Sequence, residues 1–244
     1  MDSFYIPDGL FCYRIDRSHA LVGGALTDGG SVMEWARKLL NLENDDEFAL
    51  CLGEVEQLLN KDYENCSSNF LPASSISVAP FLSGERSVGF RDGATFSVTG
   101  ITTNTTRAQF LKACLEGVIL RLEAVLRLLR EGIEAGRRKP RIIVSGAALE
   151  KNALWRQMLA DCSGLQVQFD TEVRESTSKG AAIMVAVALA MERDMSREST
   201  SYLAKLSRDG ESIFYSPRLS ITENYWIAAL DDQENFIDAI STLW

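Results

Sequence analysis

Between Thr106 and Gly136 the residues Leu111, Leu115, Val118, Leu122, Val125 and Leu129 recur at alternating spacings of four and three, the period of a helix with a buried face. That stretch predicts a long, deeply packed helix. Thr106 followed by Gln109 has capping-box spacing, and Gly136 fits a left-handed stop. The basic run Arg137, Arg138 and Lys139 just beyond complements the carbonyl end of such a helix. A core helix of this kind needs a body around it, and 244 residues supply one large α/β domain or two small ones.

On either side of it lie units that read as strand, small-residue turn, helix. Downstream, Arg141 to Val144 is a β-branched run, Ser145-Gly146-Ala147-Ala148 a turn, and Asn152 to Asp161 a helix. Upstream, Ala20 to Val22 leads through Gly23-Gly24 and Gly29-Gly30 into an amphipathic segment, Ser31 to Leu40, where Ser31 and Glu34 have capping-box spacing and predict a start at Ser31. A third helix opens near Ser176 to Lys179 and runs to Ala190, its small residues and methionine expected in the core. Residues 41 to 70, polar and acidic with a weak face of Leu50, Leu52, Leu58 and Leu59, read as peripheral; 192 to 212 read as a surface connection. Phe214, Tyr225, Trp226, Ile227 and Phe236 suit a final helix docked back on the body.

With 34 acidic against 25 basic side chains and a formal charge of −9, the chain would repel a phosphate backbone, which disfavours nucleic acid as a partner. Five dispersed cysteines without a C-x-x-C pair argue against a disulfide framework and a thiolate metal site, and suit a reducing cytoplasm. The amino-terminal residues do not read as a secretory signal, and the longest apolar run, Ala181 to Met191, is too short to span a bilayer. The single histidine, His19, reads as a surface or turn residue and leaves histidine-based hydrolase or metal chemistry without parts. No P-loop and no G-x-G-x-x-G is present, so dehydrogenase and P-loop readings lack their warrant.

The two glycine turns remain. Glycines ahead of a helix leave main-chain N–H groups uncovered and let a flat or anionic ligand approach closely. Gly29-Gly30 and Gly146-Ala147-Ala148 could together line a nucleotide site, although each alone is equally an ordinary connection.

Their combination and order resemble the carboxy-terminal half of the FGGY carbohydrate kinases. The resemblance is carried by Gly9 to Arg14, Leu21 to Gly30 leading to Trp35, Pro80 to Ser87, Gly100 to Thr102, Leu115 to Val118, Ser145 to Gln157 with Ala160-Asp161, and Lys179 to Ala182. It implies an α/β, actin-like (ribonuclease-H-like) lobe, a mixed sheet flanked by helices, over residues 1–195. Residues 196–244 would be an extension docking on the same domain.

By resemblance, such a lobe holds ATP with Mg2+, and the enzyme phosphorylates a sugar, a sugar acid or a polyol. Gluconokinase-type motifs fit best, with xylulokinase-like or glycerol-kinase-like specificity as alternatives. Carried over by motif, Gly29, Gly30 and Glu34 match one nucleotide segment and Gly146, Ala147 and Asn152 the other. Ala147 stands where a second glycine is usual, Val88 replaces a proline, and Thr95-Phe96 replaces an Arg-Gly. Gly84-Glu85-Arg86 reads first as a turn bracing the cleft. The family's early phosphate loop, sugar-contacting residues and catalytic aspartate belong to an amino-terminal lobe that these stretches do not include, so no catalytic residue and no metal ligand is assigned. A carbohydrate would therefore bind only with a complementing lobe, and an exposed interlobe face would favour self-association. The other reading is a non-catalytic nucleotide-binding or regulatory module.

Overall fold

The computed structural model describes residues 5–15, 19–66, 76–132, 140–171, 176–192 and 212–244. Its axis is helix α3, Arg107–Gly132. Thr106 and Gln109 close the expected capping box: the Gln109 side chain accepts from the Thr106 N–H at 2.8 Å and Thr106 Oγ1 accepts from the Gln109 N–H at 3.2 Å. The expected stop at Gly136 and the basic run after it lie outside the described residues. From Leu111 to Arg121 every residue of α3 is buried, so the helix is enclosed on all sides and not on one apolar face alone. Its charges survive there because each finds a partner.

Strands β1 (Phe11–Arg14) and β2 (Ala20–Gly23) form an antiparallel hairpin, with His19 exposed at its turn end. A glycine turn leads from β2 into α1, Gly30–Leu39. The segment expected to be peripheral is instead a 21-residue helix, α2 (Asp45–Asn65), capped by Asn44, whose side chain accepts from the Asp46 and Glu47 N–H groups. Cys51, Val55 and Leu59 at four-residue spacing seat it on α3. Its acidic residues Asp45, Asp46 and Glu47 are the exposed first turn of that helix, and of the weak face expected for it Leu59 is buried while Leu50 is exposed.

Strands β3 (Ser77–Ala79) and β4 (Ser97–Thr99) pair antiparallel beside α3. After α3 come β5 (Ile142–Val144), the short α4 (Ala147–Glu150), α5 (Ala153–Ser163) and β6 (Val167–Asp170). Gly164 ends α5 in the left-handed conformation, φ 65°. β5 and β6 run parallel, and β7 (Ser212–Tyr215) joins β6 antiparallel, which makes a mixed sheet. The expected domain boundary after residue 195, and most of the expected surface connection, lie outside the described residues.

Helix α6 (Ser176–Glu192) departs from its expected core placement. Met184, Val185 and Leu189 are all exposed, Val185 to 59%. The terminal segment does dock: a π-helical turn, Thr222–Trp226, buries Tyr225 and Trp226 and leads into α7, Ile227–Ile240. Gln233 of α7, fully buried, donates to the carbonyls of Val78 (2.7 Å) and Gly117 (3.0 Å) and so joins α7, β3 and α3. Lys112 does the same for α2 and the tail, reaching Asp62 and Glu116 at 3.0 Å and the Tyr225 hydroxyl at 2.8 Å.

Candidate nucleotide face

The turn from β2 to α1 is sewn to the loop that follows β3. Ser87 Oγ accepts from the Ala25 N–H at 3.0 Å, and a Cβ on Gly24 would lie 2.8 Å from Val125 Cγ1, so only glycine permits that approach. Ser31 does not cap α1. Its hydroxyl donates to Asp28 Oδ1 and accepts from the Gly29 N–H, while Gly29 takes the cap position without a side-chain bond. The buried Asp28 also accepts from the Ser83 N–H at 2.8 Å. Asp28, which sequence reasoning passed over, is thus the residue that fixes the start of α1; its side chain preceding Gly29-Gly30 was the available signal.

Glu85 is 2% exposed and lies between two cations, accepting from Arg121 of α3 at 2.7 Å and from Arg91 at 2.9 Å. Gly84, at φ +81°, has the Asp92 carbonyl 2.8 Å from where a Cβ would sit. Within this domain Gly84 and Glu85 thus fix the loop after β3 onto α3, while Arg86 is exposed.

The second turn follows β5. Gly146 adopts φ +102°, open to glycine at no steric cost, and precedes α4. Asn152 is 4% exposed; its Oδ1 accepts from the Trp155 N–H at 3.0 Å, capping α5, and its Nδ2 lies 3.8 Å from Met33 Sδ of α1. Arg156 folds back on α4, donating to the carbonyls of Leu149 and Glu150 and, through Nε, to the Tyr215 hydroxyl. This second clamp was hidden in sequence because an arginine inside a helix carries no signal of what lies behind it.

The two turns, more than a hundred residues apart in sequence, meet. A Cβ on Gly30 would stand 2.9 Å from Ala148 Cβ, and Met33 touches Asn152. Around Gly29 and Gly146, by contrast, nothing lies within 4 Å of where a Cβ would stand. Ala147 is exposed, and Glu34, one turn along α1, is exposed beside Lys38 at 3.4 Å. The structure thus joins Gly30 to the second turn, leaves Gly29, Gly146 and Ala147 uncovered, and places Asn152 inside the joint. Main chain bare of side chains, at the starts of two helices, is what a flat base and its phosphates require.

Residues 10–189 match the FGGY family of carbohydrate kinases, C-terminal domain. The chain belongs to that family. Similar proteins include the gluconokinases of Bacillus licheniformis and Bacillus subtilis (strain 168), 29% and 30% identical over 180 residues, 72% of this chain and 33% of each of theirs. Among solved structures, xylulose kinase from Lactobacillus acidophilus superposes with a TM-score of 0.70 at 21% identity, covering 96% of this chain and 42% of that one. Plasmodium falciparum glycerol kinase with ADP superposes at 0.66 with 19% identity, covering 95% and 43%. This FGGY chain spans about a third of the length of the gluconokinases it matches. These likenesses give the fold as an α/β lobe of the actin-like ATPase type. Among the described residues no helix is long and apolar enough to cross a membrane.

Proposed function

We propose that this FGGY domain is the nucleotide-binding half of an ATP-dependent carbohydrate kinase, which transfers the γ-phosphate of MgATP to a hydroxyl of a gluconate-like sugar acid, a sugar or a polyol. The observation that carries the reading is the meeting of the Gly29-Gly30 and Gly146-Ala147 turns with their main chain bare. Gly29 and Gly30 at the start of α1 and Gly146 and Ala147 at the start of α4 would receive the nucleotide. Glu34 would face its ribose and base side. Asn152 is assigned a positioning role: fully engaged between Trp155 and Met33, it holds the two turns in register.

Bound ATP would supply the phosphoryl group and Mg2+ the neutralisation of its charge. Mg2+ would arrive on the nucleotide phosphates, keeping several of its waters. The sugar, the attacking hydroxyl and the base that accepts its proton are assigned to a complementing lobe, and the setting to the cytoplasm. Ile143 and Phe214 on one face of the β5–β7 sheet, 61% and 51% exposed, suit the surface that lobe would cover and on which isolated copies would associate.

Ala147 gives the sharpest test, because it is exposed and stands where an additional methyl narrows the face. Ala147→Gly is expected to tighten ADP severalfold and Ala147→Trp to abolish its binding, both with unchanged circular dichroism. Equal ADP affinity across the wild type and both variants would overturn the assignment.

A further inference from the structure

Helix α4 cannot hold itself in place. It is a single turn, closed by bonds from the Glu150 N–H to the Gly146 carbonyl at 2.9 Å and from the Lys151 N–H to the Ala147 carbonyl at 3.2 Å, and one turn alone does not repay the cost of its nucleation. None of its residues is buried. Yet the second glycine turn runs straight into it, and its Ala148 is the point at which that turn meets Gly30. Whatever fixes α4 therefore sets the gap between the two halves of the nucleotide face.

The fixing comes from Arg156 of α5, 6% exposed. Its Nη1 donates to the carbonyls of Leu149 and, at 2.8 Å, Glu150, the last residues of α4, where uncovered carbonyls suit a cation carrying several donors. The guanidinium is aimed from behind. Its carbon lies over the Phe169 ring of β6, 4.4 Å from the centroid, and its Nε donates to the Tyr215 hydroxyl of β7 at 2.9 Å. A planar fork held both at Nε and on its face cannot swing, so Nη1 is delivered to α4 in one place. Tyr215 stands in the terminal segment, beyond the residues 10–189 of the family match.

We propose that Arg156 and Tyr215 are positioning residues for the nucleotide. The Tyr215 hydroxyl orients the Arg156 guanidinium, which holds α4 and with it the Gly146-Ala147 turn against α1, so that affinity for ADP and ATP is set in part from the terminal segment. The inference rests on the nucleotide reading of that face. The same segment is tied to α5 a second time by Gln157, which donates to the Ser216 carbonyl and to Asp161, both at 3.0 Å, and not to α4. That tie supplies the control.

Tyr215→Phe keeps the ring and removes the acceptor. In the ligand-free variant, amide order parameters over Ala147–Glu150 should fall from about 0.85 toward 0.6 while those of α3 and β6 stay unchanged, and calorimetric titration should show ADP weakened about three- to tenfold. Arg156→Lys keeps the charge but loses the fork, and gives the same reading should Tyr215→Phe fail to fold. Gln157→Ala should change neither the order parameters nor ADP affinity. Wild-type ADP affinity in Tyr215→Phe, unchanged order parameters over Ala147–Glu150, or an equal loss of affinity in Gln157→Ala would overturn the proposal and leave the nucleotide face standing. Failure of the wild type to bind ADP would overturn both.

Discussion

Lys112 shows how single residues hold this fold. Burial works against its charge, but Glu116 and Asp62 outweigh it and hold its pKa above the ordinary 10.5. A lysine whose folded pKa is raised stabilises the fold fully below its unfolded value, and that contribution is lost as pH rises through the folded value. Denaturation midpoints should accordingly fall above about pH 10.5 in the wild type and lose that alkaline component in Lys112→Met. The variant should also be less stable at neutral pH by about 3–5 kcal/mol, since it leaves buried carboxylates without their cation. A variant within about 1 kcal/mol of the wild type, the scale of an exposed ion pair, would show the cluster to be dispensable. The cysteines make a second residue-scale case. Cys12 is exposed and the other four thiols are buried; burial raises Cys51, Cys66 and Cys162 and pushes Cys114 up to about 12. One thiol should react rapidly with a maleimide in the native state and all five after denaturation; several fast thiols natively would contradict the packing around α3. Of this pairing only Lys112 and Glu116, one turn apart on α3, had a legible spacing in sequence; Asp62 on α2 and Tyr225 in the terminal segment are 50 and 113 residues away.

Capping and joints decide the elements. Asn152 caps α5 and touches α1, so Asn152→Ala should cost about 1–2 kcal/mol, and should weaken ADP through displacement of the Gly146 turn; a variant that keeps wild-type ADP affinity would leave Asn152 a cap and nothing more. The sequence displayed the long helix, its capping box, the β5 strand and the two glycine turns because each rests on local chemistry: a period, a hydroxyl three residues from an amide, a β-branched run, a missing Cβ. Elsewhere local signals misled. Ser31 has capping spacing but Asp28 captures its hydroxyl, and α2 read as peripheral with a weak face because the leucines that stood out include the exposed Leu50, whereas Cys51, Val55 and Leu59 are the residues that seat it. α6 reads as a core helix from composition, yet Met184, Val185 and Leu189 stay exposed, because burial depends on what lies opposite and not on the helix itself. The site followed the same division. Glycine positions announce uncovered main chain, whereas Asp28, Arg156 and Glu85 act through partners 55, 59 and 36 residues away.

At the scale of the whole molecule, the function proposed above makes the domain one wall of a kinase site on a body centred on α3. Phosphoryl transfer needs the acceptor hydroxyl, the phosphate and the base aligned together, so the isolated chain should give no turnover above background with MgATP and gluconate, xylulose or glycerol. Turnover near ~1 s⁻¹ on any of them, an ordinary enzyme rate, would refute the division of labour between lobes. That division rests in turn on two turns distant in sequence forming one nucleotide face, which amide NMR of the chain titrated with ADP would reveal residue by residue. Saturable shifts are expected at Gly29, Gly30, Gly146 and Ala147 together, with one dissociation constant. Shifts at only one of the two turns, or none at either at millimolar ADP, would contradict the shared face.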